Sequence, residues 1–348
     1  MNNLKEKKIV FLCIELTGYT ICVLDELKKN GYKIYVFSRS QNKENLYKVK
    51  SKYKLNLYNK DNYKFKDLKN FIKNINPELL VCHGWIYKEY LLLARFYKNS
   101  GGLVMLGFDT PWKNSIKQNI WKFFINLISV KTFSSYAWVP GIYQYEYARK
   151  LGFSKNEVIM NSYSADLNVF NSKKIQRDFS SEKVLLFVGR LDKVKGIDKL
   201  INSWLSIRRK SGWKLKIVGS GKYKVKKSKS IIQKDFIQPS ELINEFANSH
   251  AFILPSIYEP WGVVLHEAAA SGLPLIASKE VGAASCFLIN NFNGFLFSHC
   301  DKENNLAMVL KKIINISAKD LESFSFNSVL LSKKITPQIT AAGINSIL

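Results

Sequence analysis

Short apolar runs, separated by polar segments of helical length, recur along this chain and point to a parallel sheet with crossover helices. The first half carries such runs at 8–14, 33–37, 79–82, 103–107 and 137–139, with a further one at 157–160. The second half repeats the rhythm at 184–188, 215–218, 231–236, 251–254 and 275–277. Several runs are apolar at successive positions instead of alternating, as in strands covered on both faces. The segment 24–30 closes a helix, and Gly31 stops it before the second strand. Two α/β halves in series predict two Rossmann-like domains facing each other across a cleft. The polar stretch 171–181 marks the boundary, giving domains at 1–170 and 171–335. Thr336-Pro337 then reads as the start of a terminal helix over 336–348.

A chain of 348 residues is long enough for two cores, and 47% hydrophobic with 13% aromatic content fits a globular protein. No apolar run approaches the length that spans a bilayer, and the N-terminus leads into a strand without a signal-peptide pattern, so a cytoplasmic protein is expected. The five cysteines lie far apart without a CxxC pair, and the four histidines form no ligand spacing. Neither a disulfide framework nor a zinc site is implied. The charge is unusual: 53 basic against 27 acidic residues leave a net +26, with dense lysine stretches at 48–73 and 222–229. Such an excess concentrates anionic partners near the protein. No helix-turn-helix, RNP-type or zinc-finger pattern accompanies it, which favours a membrane surface over nucleic acid. Ile116, Ile120, Phe123, Phe124, Leu127 and Ile128 follow helical spacing, flanked by Lys113, Lys117, Lys122 and Lys131 with Trp112 and Trp121. This helix either packs on the first sheet or lies on anionic lipid.

The segment from Tyr258 to Glu267 places one carboxylate at a helix mouth and a second two turns inside. Pro260 suits the first helical position, which leaves Glu259 in the loop or cap and Glu267 on the helix. The amides of Trp261, Gly262 and Val263 then point outward at the positive end of the helix dipole, where backbone donors can bind a diphosphate. Upstream, the run 184–188 ends in the basic loop Gly189-Arg190-Leu191-Asp192-Lys193-Val194-Lys195-Gly196. Downstream come the strand 272–278, the glycine loop Glu280-Val281-Gly282-Ala283-Ala284 and the turn Asn293-Gly294.

Together these segments resemble the retaining family 4 glycosyltransferases of GT-B architecture, the glycosyl transferases group 1. The resemblance covers 181–297 motif by motif and the first half mainly in architecture. It implies that Glu259 faces the donor sugar, that Glu267 holds the ribose hydroxyls, and that Arg190 and Lys195 neutralise the leaving diphosphate. The plainer alternative makes Arg190 a strand-end cap and Lys195 a surface lysine. Gly189, Gly282, Trp261, Gly262 and Val263 line the phosphates in the implied site, and the terminal helix packs back on the first domain. On the first domain the resemblance brings Gly18, after the first strand, to the cleft. The polar group beside the reacting sugar is either Asp109, standing where the family often has histidine, or His83 one strand earlier. Asp109 could equally cap a turn before Pro111, and His83 could be a hydrogen-bonded strand-end residue. His266, about 100° around the helix from Glu267, reads as packing. Ser164 stands where relatives often have glycine.

The implied activity is transfer of a sugar from a nucleotide diphosphate donor to a glycan or lipid-linked glycan, in O-antigen, capsule or lipopolysaccharide assembly. It would proceed with retention and without metal, since no Asp-x-Asp pair is present and fixed cations and amides can take the charge. No cofactor beyond the donor substrate is expected, and the location would be peripheral, at the inner face of the cytoplasmic membrane. Two alternatives remain at this stage. One is a sugar-nucleotide epimerase or hydrolase of the same fold; the other is a catalytically degenerate basic protein that binds nucleic acid or membranes.

Overall fold

The computed structural model describes residues 6–39, 51–85, 87–116, 118, 119, 130–175, 177–179, 182–303 and 305–348. The chain forms two units, one of residues 1–164 with 337–348 and the other of residues 165–336. The division falls between Ser164 and Ala165, ahead of the polar stretch that the sequence suggests.

In the first unit seven parallel strands run β1 (Lys8–Leu12), β2 (Lys33–Ser38), β3 (Asn56–Asn59), β4 (Leu79–His83), β5 (Val104–Gly107), β6 (Tyr136–Trp138) and β7 (Val158–Ile159). Their order in the sheet is β3-β2-β1-β4-β5-β6-β7. Phe11 lies level with Val36 on one side and Val81 on the other. Ile9, Phe11, Ile34 and Val81 enter one core, while Val10, Leu12, Phe37 and Leu80 enter a second, so both faces of the sheet are covered. That double burial is why these strands are continuously apolar. β3 is different. It is an edge strand, part-buried and exposed at alternate residues, anchored by Tyr58 stacked on Phe37 with ring centres 4.9 Å apart.

The helix Pro337–Asn345 belongs to the first unit, and Pro337 is its first residue. Ala341 and Ile344 are fully buried in the core that holds Leu24 and Leu27 of the helix Gly18–Lys29. The Thr340 hydroxyl donates to the Asn161 carbonyl at 2.7 Å.

The second unit is a six-stranded parallel sheet of β8 (Lys183–Val188), β9 (Trp213–Val218), β10 (Ile231–Lys234), β11 (Ala251–Leu254), β12 (Leu275–Ser278) and β13 (Gly294–Phe297). The order is β10-β9-β8-β11-β12-β13. The run at 231–236 thus ends as a strand at Lys234, where β9 stops pairing with it. Arg177 fastens the far side of this unit. Its guanidinium donates to the carbonyls of Phe246, Ser249, Ser271 and Gly272 at 2.6–3.0 Å, at the ends of the helices Pro239–Ala247 and Val263–Ala270. Carbonyls at helix ends lack helical partners, and the fork of donors on one arginine reaches all four, of which Phe246 also accepts from the Ser249 amide and Gly272 from the Ser325 hydroxyl.

Each sheet changes direction beside its first strand, between β1 and β4 and between β8 and β11. Loops leaving the carboxyl ends of such a strand pair part to opposite faces and open a crevice. Of the predicted amphipathic helix, residues 117 and 120–129, with Trp121 and Lys122 among them, lie outside the described residues, as do 48–50 of the first lysine stretch. Among the described residues no helix is long and apolar enough to cross a membrane.

Candidate active site

In the second unit, the loops after β8, β11 and β12 are joined by backbone contacts. Ile257 donates to the Val194 carbonyl at 2.8 Å, and Gly196 (φ 69°) lies so close to the Pro255 carbonyl that a Cβ there would collide with it. Glu259 forms a parallel bridge with Val281, and Gly282 donates to the Glu259 carbonyl at 3.1 Å. Gly282 packs directly on the Pro260 carbonyl, again leaving no room for a side chain. These two glycines therefore serve close backbone approach.

The zipped loops bring Lys195 and Glu259 together. Their ammonium and carboxylate form an ion pair, with the side chains 18% and 11% exposed. Ser256, itself buried, donates from its hydroxyl to the same Glu259 oxygen at 3.1 Å. The Asp192 carboxylate accepts the Lys195 amide at 2.9 Å and so fixes the turn that carries the lysine. Arg190 is different in kind. Its side chain is 77% exposed, with only a loose contact of 3.7 Å to Asp192. Gly189 ends β8, its amide bonded to the Val218 carbonyl and its own carbonyl packed on Gly219.

The helix after Glu259 begins later than Pro260 suggests. It spans Val263–Ala270, and its cap is Gly262 in the left-handed conformation at φ 91°. Pro260 and Trp261 remain in the loop because the bridge to Val281 and the bond from the Ala283 amide to the Trp261 carbonyl keep them extended. The Trp261 side chain is buried against Phe287, so only its backbone faces the site. Among the described residues the amides of Gly262 and Val263 meet no acceptor, and no side chain caps the helix. They form a free donor pair at the positive helix end. The Glu267 carboxyl, one turn on, has no hydrogen-bond partner among the described residues, and burial pushes its pKa up to about 7.

Residues 169–327 match the model of the family described as glycosyl transferases group 1. The second unit is a group 1 glycosyltransferase domain. Over 142 residues the chain is 32% identical to an uncharacterized glycosyltransferase of Methanocaldococcus jannaschii, covering 38% of this chain and 35% of that protein. It is 28% identical over 179 residues to the capsular polysaccharide biosynthesis glycosyltransferase CapM of Staphylococcus aureus, covering 47% and 45%. The chain thus spans less than half the length of these curated relatives. In three dimensions it is similar to HepE of Anabaena in complex with UDP and glucose, with a TM-score of 0.71, 16% identity and coverage of 98% and 99%. The fold is GT-B, with two Rossmann-like α/β units.

The glycosyltransferase domain also explains His266. The ring is fully buried and stacked on Phe287 at 4.0 Å. Its Nδ1 accepts from the Ala165 amide at 3.0 Å and its Nε2 donates to the Ser332 carbonyl at 2.8 Å, which fixes the neutral tautomer. Burial lowers its pKa to about 4. Packing was the right sense, but the ring also ties the helix Val263–Ala270 to both the first and the last segments of its domain. Nothing in the sequence distinguishes that role, because its partners are backbone groups 101 and 66 residues away. Ser256 escapes the sequence reading too, though its place two residues after β11 is a signal that could have found it.

Within the first unit, Gly18 and Asp109 follow β1 and β5, and His83 is the last residue of β4. Gly18 opens the helix Gly18–Lys29, and a Cβ on it would meet nothing within 4 Å, so no internal contact requires glycine there. His83 ends β4 beside Phe11 and Trp138, and its buried Nε2 meets no hydrogen-bond partner among the described residues. Burial lowers its pKa to about 4, leaving a neutral ring. The Asp109 carbonyl accepts from Gln144 at 2.8 Å, and its charge acts on Tyr19 and Tyr163, whose rings lie 4.9 Å apart. Burial pushes the Tyr19 hydroxyl up to about 12. The sequence points to Tyr19, beside Gly18 after the first strand, but not to Tyr163, since a lone tyrosine carries no motif.

Proposed function

We propose that the protein is a retaining glycosyltransferase that moves a sugar from a nucleoside diphosphate donor to a glycan or lipid-linked glycan. The observation that carries this reading is the group of charges at one loop cluster: the Lys195–Glu259 pair, the exposed Arg190 and the free amides of Gly262 and Val263. A diphosphate placed there meets two cations and a helix N-terminus, which stabilise charge as it develops on the leaving oxygen. Glu267, one helical turn on, supplies the acceptor for ribose hydroxyls, and Glu259 faces the sugar. The acceptor hydroxyl oxygen bonds to the anomeric carbon on the face from which the diphosphate departs. The C–O bond to phosphate breaks, and the hydroxyl proton passes to the departing phosphate oxygen. Fixed cations take the place of a metal ion in this scheme, so chelators leave turnover unchanged. HepE carries UDP and glucose on the same fold, and CapM is named for capsular polysaccharide. The first supports a nucleotide-sugar donor and the second a surface-polysaccharide setting, while peripheral attachment to the inner face of the cytoplasmic membrane rests on the chain's net charge of +26.

A thermal-shift screen of UDP, GDP, ADP and CMP sugars tests the reading. A donor at about 100 times its dissociation constant adds roughly 2.7 kcal/mol to stability. Sugar transfer with the matching donor, retained in chelator, is the expected outcome. No stabilisation by any nucleotide sugar, or donor cleavage indifferent to every added glycan, would overturn it.

A further inference from the structure

Between Asp198 and Asp235 the sequence has no acidic residue but twelve lysines and arginines. The lysines on the strands are neutralised from neighbouring segments. Lys216 and Lys234 share the buried carboxylate of Glu245 at 3.1 and 2.6 Å, and Lys214 pairs with Glu182 at 2.9 Å. The loop between β9 and β10 is not treated this way. Its five lysines, Lys222, Lys224, Lys226, Lys227 and Lys229, are all exposed, and none meets a carboxylate among the described residues. The residues between them, Tyr223, Val225 and Ser228, are part-buried, so the loop turns its lysines out as a set.

The loop is also anchored. The Leu191 amide donates to the Ser220 carbonyl at 3.0 Å and the Tyr223 amide to the Leu191 carbonyl at 2.9 Å, which roots it beside Arg190. At its other end the Ser230 hydroxyl accepts from the Trp204 indole at 3.2 Å, and the Ser228 carbonyl accepts from the Ile231 amide at 3.1 Å. Phe236, held to the Ser220 hydroxyl through its amide at 3.1 Å, is 38% exposed next to this strip.

We infer that the Lys222–Lys229 loop is the contact between the glycosyltransferase domain and an anionic phospholipid surface. Lysines are compact charges suited to fluid phosphate headgroups, whereas nucleic-acid recognition draws on arginine forks and exposed stacking rings. The loop has no arginine, and its one aromatic, Tyr223, is turned inward. An aromatic such as Phe236 at the edge suits the headgroup boundary. The inference deepens the proposed membrane attachment by naming its contact, and it does not depend on the sugar chemistry.

Co-sedimentation of the full chain with vesicles of phosphatidylglycerol and phosphatidylcholine, against phosphatidylcholine alone, tests it. The wild type should bind the anionic vesicles and release with salt. Lys222→Gln, Lys224→Gln, Lys226→Gln, Lys227→Gln and Lys229→Gln together should lower the vesicle partition about tenfold or more. The same number of exposed lysines changed elsewhere, at Lys54, Lys66, Lys155, Lys302 and Lys319, should leave most binding in place. Thermal transitions should match in all three proteins. Equal binding by the loop variant would overturn the loop assignment alone, and a wild type that stays in the supernatant with both vesicles would overturn the attachment as well. Retention of single-stranded RNA in place of vesicles would likewise overturn it.

Discussion

The ammonium of Lys195 is bonded to the carboxylate of Glu259, across two loops whose backbones are themselves bonded together. One of the two cations beside the proposed diphosphate is thus already balanced by Glu259, the residue proposed to face the sugar, while Arg190 stands exposed. Lys195→Ala strands a mostly buried carboxylate and should cost about 1–3 kcal/mol of stability, whereas Arg190→Ala should stay within about 0.5 kcal/mol of the wild type. Both should lower turnover, by roughly 10²-fold, because each meets charge that grows as the diphosphate leaves. Urea unfolding alongside initial rates separates the two effects; equal stability losses would refute the inequality.

Glu267 holds a proton to higher pH in the folded protein than its ordinary value of 4.5, up to about 7, because it is buried. The folded form is therefore protonated in a window where the unfolded chain is not, and this group's contribution makes stability fall as pH rises from 4.5 to 7. Glu267→Gln removes that slope. Binding runs the other way, since the ionised carboxylate is the stronger acceptor for ribose hydroxyls. Affinity for the cognate nucleoside diphosphate should climb through about pH 7 in the wild type more than in Glu267→Gln, with the nucleotide's own titration common to both. Calorimetric titrations across pH 5.5–8.5 would expose parallel curves if the assignment is mistaken.

Gly262 caps the helix at φ 91°, and a Cβ there would meet Glu259 Cγ and Leu254 Cδ2 at 3.0 Å. Gly262→Ala should cost about 1–2 kcal/mol in backbone strain and weaken nucleoside diphosphate binding by displacing the free amides. An alanine variant with unaltered binding would remove those amides from the site.

Arg177→Ala takes a donor from four helix-end carbonyls at once and leaves two of them, Ser249 and Ser271, uncovered among the described residues, since Phe246 keeps the Ser249 amide and Gly272 the Ser325 hydroxyl. A loss of roughly 2–4 kcal/mol is expected, with the nucleotide affinity of the folded fraction unchanged, because the helix N-terminus lies at the opposite end. Denaturant melts and a binding isotherm on the same sample would test both halves.

Much of this arrangement can be read from the sequence, and the reason differs by residue. The strands were legible because both faces of each sheet are buried, so runs such as 184–188 leave no polar break. β3 was missed because it is a short edge strand whose Leu57 is exposed and whose neighbours are lysines. Glu259 and Glu267 were legible as a pair, yet Pro260 misled the helix start, because a tertiary bridge to Val281 outweighed proline's local preference. The ion pair of Lys195 with Glu259 could not be read at all. Two charges 64 residues apart announce no contact until the loops that carry them are zipped.

The helix Pro337–Asn345 lies after the whole second unit in sequence, yet its Ala341 and Ile344 fill the core of the first. During synthesis the second unit, a single uninterrupted segment, can therefore close while the first still lacks part of its interior. Its partly assembled sheet must wait on the ribosome with the Leu24–Leu27 face open to solvent. Loss of this helix would then harm the first unit selectively and leave the fold of the second intact.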